Sequence, residues 1–477
     1  MLRSIAHLRN YSPRTTAVSA SKKVRLLATC TRQIRGAQPS LSEANHDFTQ
    51  FENFTKKLYT ARPVAFWMDK ILEKENKKSV NVPSPSLANQ YEHVTVNKTM
   101  SDSYMEEFLP FKSSPKLLDE YITTGGKIRI GKILEDLDAL AAAISCKHID
   151  TFVAGPPMTV VTASVDRMEL LMPNTVQDLK LSGHVAHVGK SSMEVFVKLE
   201  TMPDYDPEVV EASAFPPSDF IAEPTSNTVL FARFTMVAID SVTGQSVRVN
   251  PLVTRTDKEK RIAEYAKDCK AHKRLLGESD LSKAPPTEDE RLMLHNIYMD
   301  YSKENKTSTA SSTATVWMED TKLQSVFLMQ PQDRNIQNKV FGGYLMRRAY
   351  ELAHATGSVY AKCPVNLLAL DEIIFKKPVP VGSLLNLSSQ VIYAQGDPHK
   401  SFQVSVAAEV TDVETGTMDL TNTFHFTLAA EDKPVPKILP KTYAESILYL
   451  EGKRKREQGV QAKEQLLSLM STTLEDQ

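Results

Sequence analysis

The stretch IRIGKILEDLDALAAAI (residues 128–144) sets Ile133, Leu134, Leu137, Leu140, Ala141 and Ile144 at helical spacing. It reads as a helix with a broad apolar face that has to be buried. The stretch recurs. VFGGYLMRRAYELAHAT (residues 340–356) aligns with it without gaps at an offset of 343 − 131 = 212, which superposes Gly343 on Gly131. Two further blocks follow in the same order in both halves. TASVDRMELLMPNTVQDLKLSGHVAHVG (162–189) matches LLALDEIIFKKPVPVGSLLNLSSQVIYA (367–394), with Asp166 on Asp371 and Pro173 on Pro378, and ARFTMVAID (232–240) matches FHFTLAAED (424–432). Three blocks in one order mark a duplicated domain.

After each helix the hydrophobic period shortens from 3.6 residues to two, as in LKLSGHVAHV and MEVFVKLE, or SLLNLSSQVIY and FQVSVAAEV. Alternation in runs rich in Val, Ile, Leu and Phe predicts antiparallel strands. One mostly apolar helix followed by about four long strands buries best when the sheet curls around the helix. The predicted fold class is therefore α+β, a tandem (double) hot-dog.

The remaining stretches are connective. Residues 1–42 carry eight Lys and Arg, are rich in Ser, Thr and Ala, and hold no acidic residue, the composition of a mitochondrial targeting presequence. Residues 43–100 read as an N-terminal extension, 101–250 as the first hot dog, 251–309 as a charged helical linker, 310–435 as the second hot dog and 436–477 as a helical tail. At 477 residues the chain is long enough for several cores.

Lys plus Arg is 57 against 58 for Asp plus Glu, so no global field points to nucleic acid, and an anionic ligand needs a local patch. Four cysteines without a CxxC pair argue against a disulfide framework and a zinc site. No run approaches the roughly 20 apolar residues of a bilayer span. His184 and His187, three apart on a predicted strand, are expected on opposite faces and hence not as a metal pair.

The segments RIGKILEDLDALAA, SGHVAHVGKSSMEV, NKVFGGYLMRRAYELA with KPVPVGSLLNLSSQV, and PKTYAESILYLEGKR closely resemble the mitochondrial double hot-dog acyl-coenzyme A thioesterases. The likeness runs from about residue 101 to 455, in register across both repeats. It implies hydrolysis of fatty acyl-CoA to free acid and CoA in the mitochondrial matrix, with no cofactor beyond the CoA of substrate and product and no metal. It also implies no stable membrane insertion, and a homo-oligomer that could be a trimer of double hot dogs.

In that family the helix begins at Gly-Gly, carries an Asp in its second turn and is preceded by an Asn or Asp. Here the first half keeps the acid as Asp138 but has Lys127, Ile128 and Arg129 before its glycine. The second half keeps an amide, Asn338, before Gly342 and Gly343 but has Tyr350 in place of the acid. By resemblance Asp138 and Asn338 form one composite site between the hot dogs. Asp138 would serve as general base or, alternatively, as nucleophile, and the amides of Gly342 and Gly343 would polarise the thioester carbonyl. Asn335, Asp136 and Glu351 are alternates, and Lys377 and Arg347 are candidates for the CoA phosphates. Without the repeat Asp138 reads as a solvated helix carboxylate beside Glu135 and Asp136. Asp166 and Asp371, present in both halves, read as structural.

Two other activities fit a hot-dog chain. YAQGDPH (393–399) has a partial likeness to an enoyl-CoA hydratase or dehydratase signature, although Gly-Asp-Pro is also a common strand turn. A non-catalytic acyl-CoA sensor would share the fold without the chemistry.

Overall fold

The computed structural model describes residues 95–475 apart from 150–157, 174, 204–215, 218–219, 241–242, 277–280, 282–284, 305–314 and 332–338. The presequence, most of the N-terminal extension, Asn335 and Asn338 lie outside the described residues.

The first half begins with α1 (Met100–Ser103), β1 (Met105–Leu109) and α2 (Pro115–Tyr121), then enters its central helix α3 (Ile130–His148). Strands β2 (Met158–Val165), β3 (Met168–Glu169), β4 (Asp178–Val188), β5 (Ser192–Met202) and β6 (Thr228–Asp240) follow. Two charged helices, α4 (Asp257–Leu276) and α5 (Glu288–Glu304), connect the halves. The second half runs β7 (Thr315–Trp317), β8 (Leu323–Leu328), central helix α6 (Gly342–Ala361), β9 (Val365–Leu370), β10 (Ile373–Ile374), β11 (Leu384–Ala394), β12 (Ser401–Thr411), β13 (Met418–Ala430) and β14 (Lys437–Leu439). The chain closes with α7 (Tyr443–Glu475).

Each central helix is buried by the sheet of its own half. Leu134, Leu137, Ala141 and Ile144 of α3 are all inaccessible to solvent, as are Met346, Ala349 and Ala353 of α6. The sheets run β1-β4-β5-β6-β2-β10 and β3-β9-β13-β12-β11-β8. Each therefore contains a two-residue strand donated by the other half. Ile373 and Ile374 pair with Val165 and Ser164, and Met168 and Glu169 pair with Leu370 and Ala369. The exchange sews the hot dogs together through backbone hydrogen bonds, and each sheet takes one edge strand from the other half.

Asp166 and Asp371 sit at these crossings, both in ion pairs: Arg233 binds Asp166, and Arg167 reaches from the first half to Asp371. Where the first half has Arg233 the second has His425, and Asp371 takes its arginine from across the repeat. α7 is tied to the linker by Arg454, which meets Glu290 through two hydrogen bonds of 2.6 and 2.7 Å. Those bonds hold the Glu290 carboxyl down to about 2.

β4 and β5 lack the expected alternation and are buried on both faces. A second apolar cluster, with Phe196, Ile221, Ile262 and Ala266, covers the outer face of the sheet beneath α4. A bulge between Val185 and His187 also shifts the register, so that His184 opposes Phe196 and His187 opposes Glu194. The two histidines therefore share a face, contrary to simple alternation, because the bulged residue Ala186 adds one to the count. His184 is packed among Phe196 and Phe220 and accepts the amide of Ala222. Among the described residues no group of three or more side chains is placed to hold a metal ion.

Arg167→Ala leaves Asp371, whose side chain is 2% exposed, buried without its cation. The expected cost is about 3 kcal/mol, read as a lowered Tm that Asp371→Asn in the same chain largely restores. An unchanged Tm in the single variant would show that the pair contributes nothing.

Candidate active site

Asp138 lies where α3 and α6 cross, and it is 2% exposed. The solvated-acid reading is thus corrected: Asp138 is enclosed between its own sheet, at Thr162, and the other half, at Gly343. The Gly343 amide donates to Asp138 Oδ2 at 2.6 Å, and the Thr162 hydroxyl donates to Oδ1 at 2.7 Å. Burial nevertheless pushes the carboxyl up to about 6, with the bonds from Thr162 and Gly343 opposing the shift. A carboxyl poised there is a base near neutral pH and a carboxylic acid just below it.

Glycine makes the contact possible. A Cβ on Gly343 would stand 2.9 Å from Asp138 Cβ and 3.0 Å from Glu135 Cα, and one on Gly342 would stand 3.0 Å from the Phe375 ring and 3.4 Å from Asp138 Oδ2. Phe375 is carried there by the exchanged strand, its amide bonded to Ala163 O at 2.9 Å. The pseudo-symmetric position is built differently. Tyr350 stands against Gly131, where a Cβ would lie 3.3 Å from its ring and 3.1 Å from Arg347 Cγ. The helix acid is present on one side of the crossing and replaced by a phenol on the other.

No family model matches the chain. It is 39% identical over 363 residues to mitochondrial acyl-coenzyme A thioesterase 9 of Bos taurus, across 75% of this chain and 78% of that one. The Mus musculus thioesterase 9 is 35% identical over 429 residues, across 88% and 90%. The chain belongs to the mitochondrial acyl-coenzyme A thioesterase family. An acyl-CoA hydrolase from Staphylococcus aureus, solved in complex with butyryl coenzyme A, coenzyme A and coenzyme A disulfide, is similar at 27% identity and a TM-score of 0.30, across 32% of this chain and 98% of that one.

Several side chains singled out in the thioesterase's sequence are engaged elsewhere. Asp136, two residues from Asp138 on α3, points to a different side of the helix and accepts the Tyr121 hydroxyl at 2.7 Å. Burial raises it to about 7. Glu351 is held by Arg129, Arg347 and Arg348 at 3.1 to 3.3 Å. Burial works against its charge, but the arginines bring its carboxyl below the usual value. Arg347 also bonds Glu135 at 2.9 Å, so it is committed to the helix crossing rather than open to a phosphate. Lys377 is exposed and pairs with Asp419.

The Gly343 amide, expected to polarise the substrate carbonyl, is committed to the Asp138 carboxylate. Gly342, the first residue of α6, has no acceptor for its N–H within the helix. Thr162 and Phe375 went unread in the sequence. Thr162 had a signal: it faces Leu367 in the repeat alignment, the same kind of asymmetry that marked Asp138.

The folded thioesterase binds the Asp138 proton more tightly than an unfolded chain does, about 6 against 3.8. Stability is therefore lost as pH rises from about 4 through about 6. Asp138→Asn escapes this loss, since its amide can accept from Gly343 and donate to Thr162. The variant should be more stable than the parent well above pH 6, by up to about 3 kcal/mol for a shift of about two units, and equal to it below pH 4. A Tm difference independent of pH would contradict the assignment.

Proposed function

We propose that the protein hydrolyses fatty acyl-CoA to free fatty acid and coenzyme A at one composite site between its hot dogs, with Asp138 as general base and Asn338 orienting water or substrate. The observation that carries this is Asp138: buried at the helix crossing, bonded to the second half through Gly343 and lifted to about 6, in a chain of the acyl-CoA thioesterase family.

The chemistry follows from those groups. Asp138 takes a proton from a water as its oxygen attacks the thioester carbonyl, giving a tetrahedral oxyanion. The Gly342 N–H, at the positive end of α6, faces the negative charge that develops. Collapse breaks the C–S bond, and the proton on Asp138 passes to the departing thiolate, so acid and thiol are released and the carboxylate is regenerated. Thr162 and Gly343 fix the carboxylate rotamer, which is the positioning that converts a buried acid into a directed base. Nothing in the sequence calls for a further cofactor.

The named relatives are mitochondrial, and the protein is a mitochondrial thioesterase by family. The basic, acid-free residues 1–42 support the matrix as its compartment. Assembly as a homo-oligomer, a trimer of double hot dogs, remains the reading by resemblance. No helix among the described residues is long and apolar enough to cross a membrane.

Thiol release from a series of acyl-CoAs of increasing chain length tests the activity. Asp138→Asn should lower kcat about 10²- to 10⁴-fold, as loss of a general base does. Asn338→Ala and Asn335→Ala, assayed side by side, identify the loop amide. If the wild type binds acyl-CoA but releases no thiol from any of them, a sensor role replaces this one.

In the wild type, kcat/KM should rise with pH through about 6 and then level off. Thr162→Ala removes a bond that lowers the Asp138 carboxyl, so its acid limb should move to higher pH while the plateau falls less than in Asp138→Asn. A Thr162→Ala profile that falls without shifting would mean that the hydroxyl does not act through Asp138.

A further inference from the structure

The first hot dog carries a cleft that the hydrolytic chemistry does not use. The chain leaving β6 folds back beside the β4–β5 turn, with Val247 N–H donating to Ala238 O at 2.9 Å and Val249 N–H to Lys190 O at 3.1 Å. Between this segment and α4 lies a cleft of about 560 Å³, within the range of small-molecule sites. Val249, Pro251 and Leu252 form the apolar part of its lining, while His187, Lys190 and Arg248 bring nitrogen donors and Thr254 a hydroxyl. No lining residue is acidic.

That composition is local, because the chain as a whole carries a formal charge of only −1. Neither Lys190 nor Arg248 is paired with a carboxylate among the described residues, whereas Arg129, Arg167, Arg233, Arg347, Arg348 and Arg454 all are. The cleft shares no lining residue with the surroundings of Asp138, which include Thr162, Gly342, Gly343 and Phe375. Leu252 and Ala263 pack on the outer cluster with Phe196 and Ile262, while Thr162 turns inward to Asp138.

We propose that this cleft is a second binding site, separate from the hydrolytic one, for a small phosphorylated molecule with an apolar or aromatic body. The Arg248 guanidinium offers the forked donors that match phosphate oxygens, Lys190 adds a mobile point charge, and the apolar wall takes the body. Phosphate alone satisfies the cations and leaves the wall unused, so the body should add affinity. The same chemistry could come from a free phosphorylated metabolite or from the nucleotide end of a CoA molecule, and the proposal commits to the free metabolite.

Isothermal titration of the full-length protein with AMP as probe, and with inorganic phosphate beside it, tests the site. AMP should bind about tenfold or more tightly than phosphate, and its affinity should fall as salt is raised. Lys190→Glu combined with Arg248→Glu should weaken AMP binding about 100-fold, two charge-assisted bonds being lost and repulsion added. Both side chains are exposed and outside the hydrolytic machinery, so kcat and KM for acyl-CoA should stay unchanged and thereby report an intact fold. The proposal fails if AMP does not bind, if phosphate binds as tightly as AMP, or if AMP binding survives the double reversal. A rise in the KM for acyl-CoA in the double variant also overturns it, because the cleft would then hold the nucleotide of the substrate.

Discussion

The close crossing of the two central helices at Gly131 and Gly343 is the contact on which the rest depends. Helices normally stand 8–10 Å apart because side chains intervene. Here each glycine lets the neighbouring helix come within van der Waals reach, Gly343 against Asp138 and Glu135, Gly131 against Arg347 and Tyr350. The approach brings a backbone amide of one repeat to a carboxylate of the other, which no single hot dog could do. Exchange of the short strands β3 and β10 fixes the same arrangement from the sheet side and delivers Phe375 to Gly342.

Duplication gives that crossing two pseudo-symmetric sides, and the chain has used them for different purposes. At one, a buried aspartate is kept with two hydrogen bonds that offset only part of the cost of burying its charge. At the other, a phenol fills the volume and no charge is buried. Arg347 meets Glu135 across the crossing and, with Arg129 and Arg348, gathers around Glu351. In half-buried pairs of that kind the cost of desolvating the charges offsets much of their attraction. The raised proton affinity on the Asp138 side costs stability at neutral pH.

The outer face of the first sheet explains another departure from a simple hot dog. Strands that would show one wet face are covered by the linker helix α4, so β4 and β5 are buried on both sides. Covering that face gives the linker a packed docking surface and creates the edge along which Lys190 and Arg248 gather. The linker, which in the sequence is only a charged helical run, is in this way part of the folded body.

By itself the sequence determined the repeat, the two central helices and the strands that wrap them, because each is written in local hydrophobic period. Comparing the halves also isolated Asp138, since a residue kept in one repeat and replaced by Tyr350 in the other cannot be required by the fold alone. The same comparison held Thr162 against Leu367, but nothing local says that a strand hydroxyl will reach a helix carboxylate 24 residues earlier. Only the tertiary structure decided that the Gly343 amide binds Asp138 over a separation of 205 residues, that two-residue strands cross between sheets, and that a bulge turns His184 and His187 to one face. The physical reason is common to all of these. Periodicity records which side of an element is apolar, whereas hydrogen-bond partners, ion pairs and register depend on which surfaces meet, and that is settled when the two halves pack.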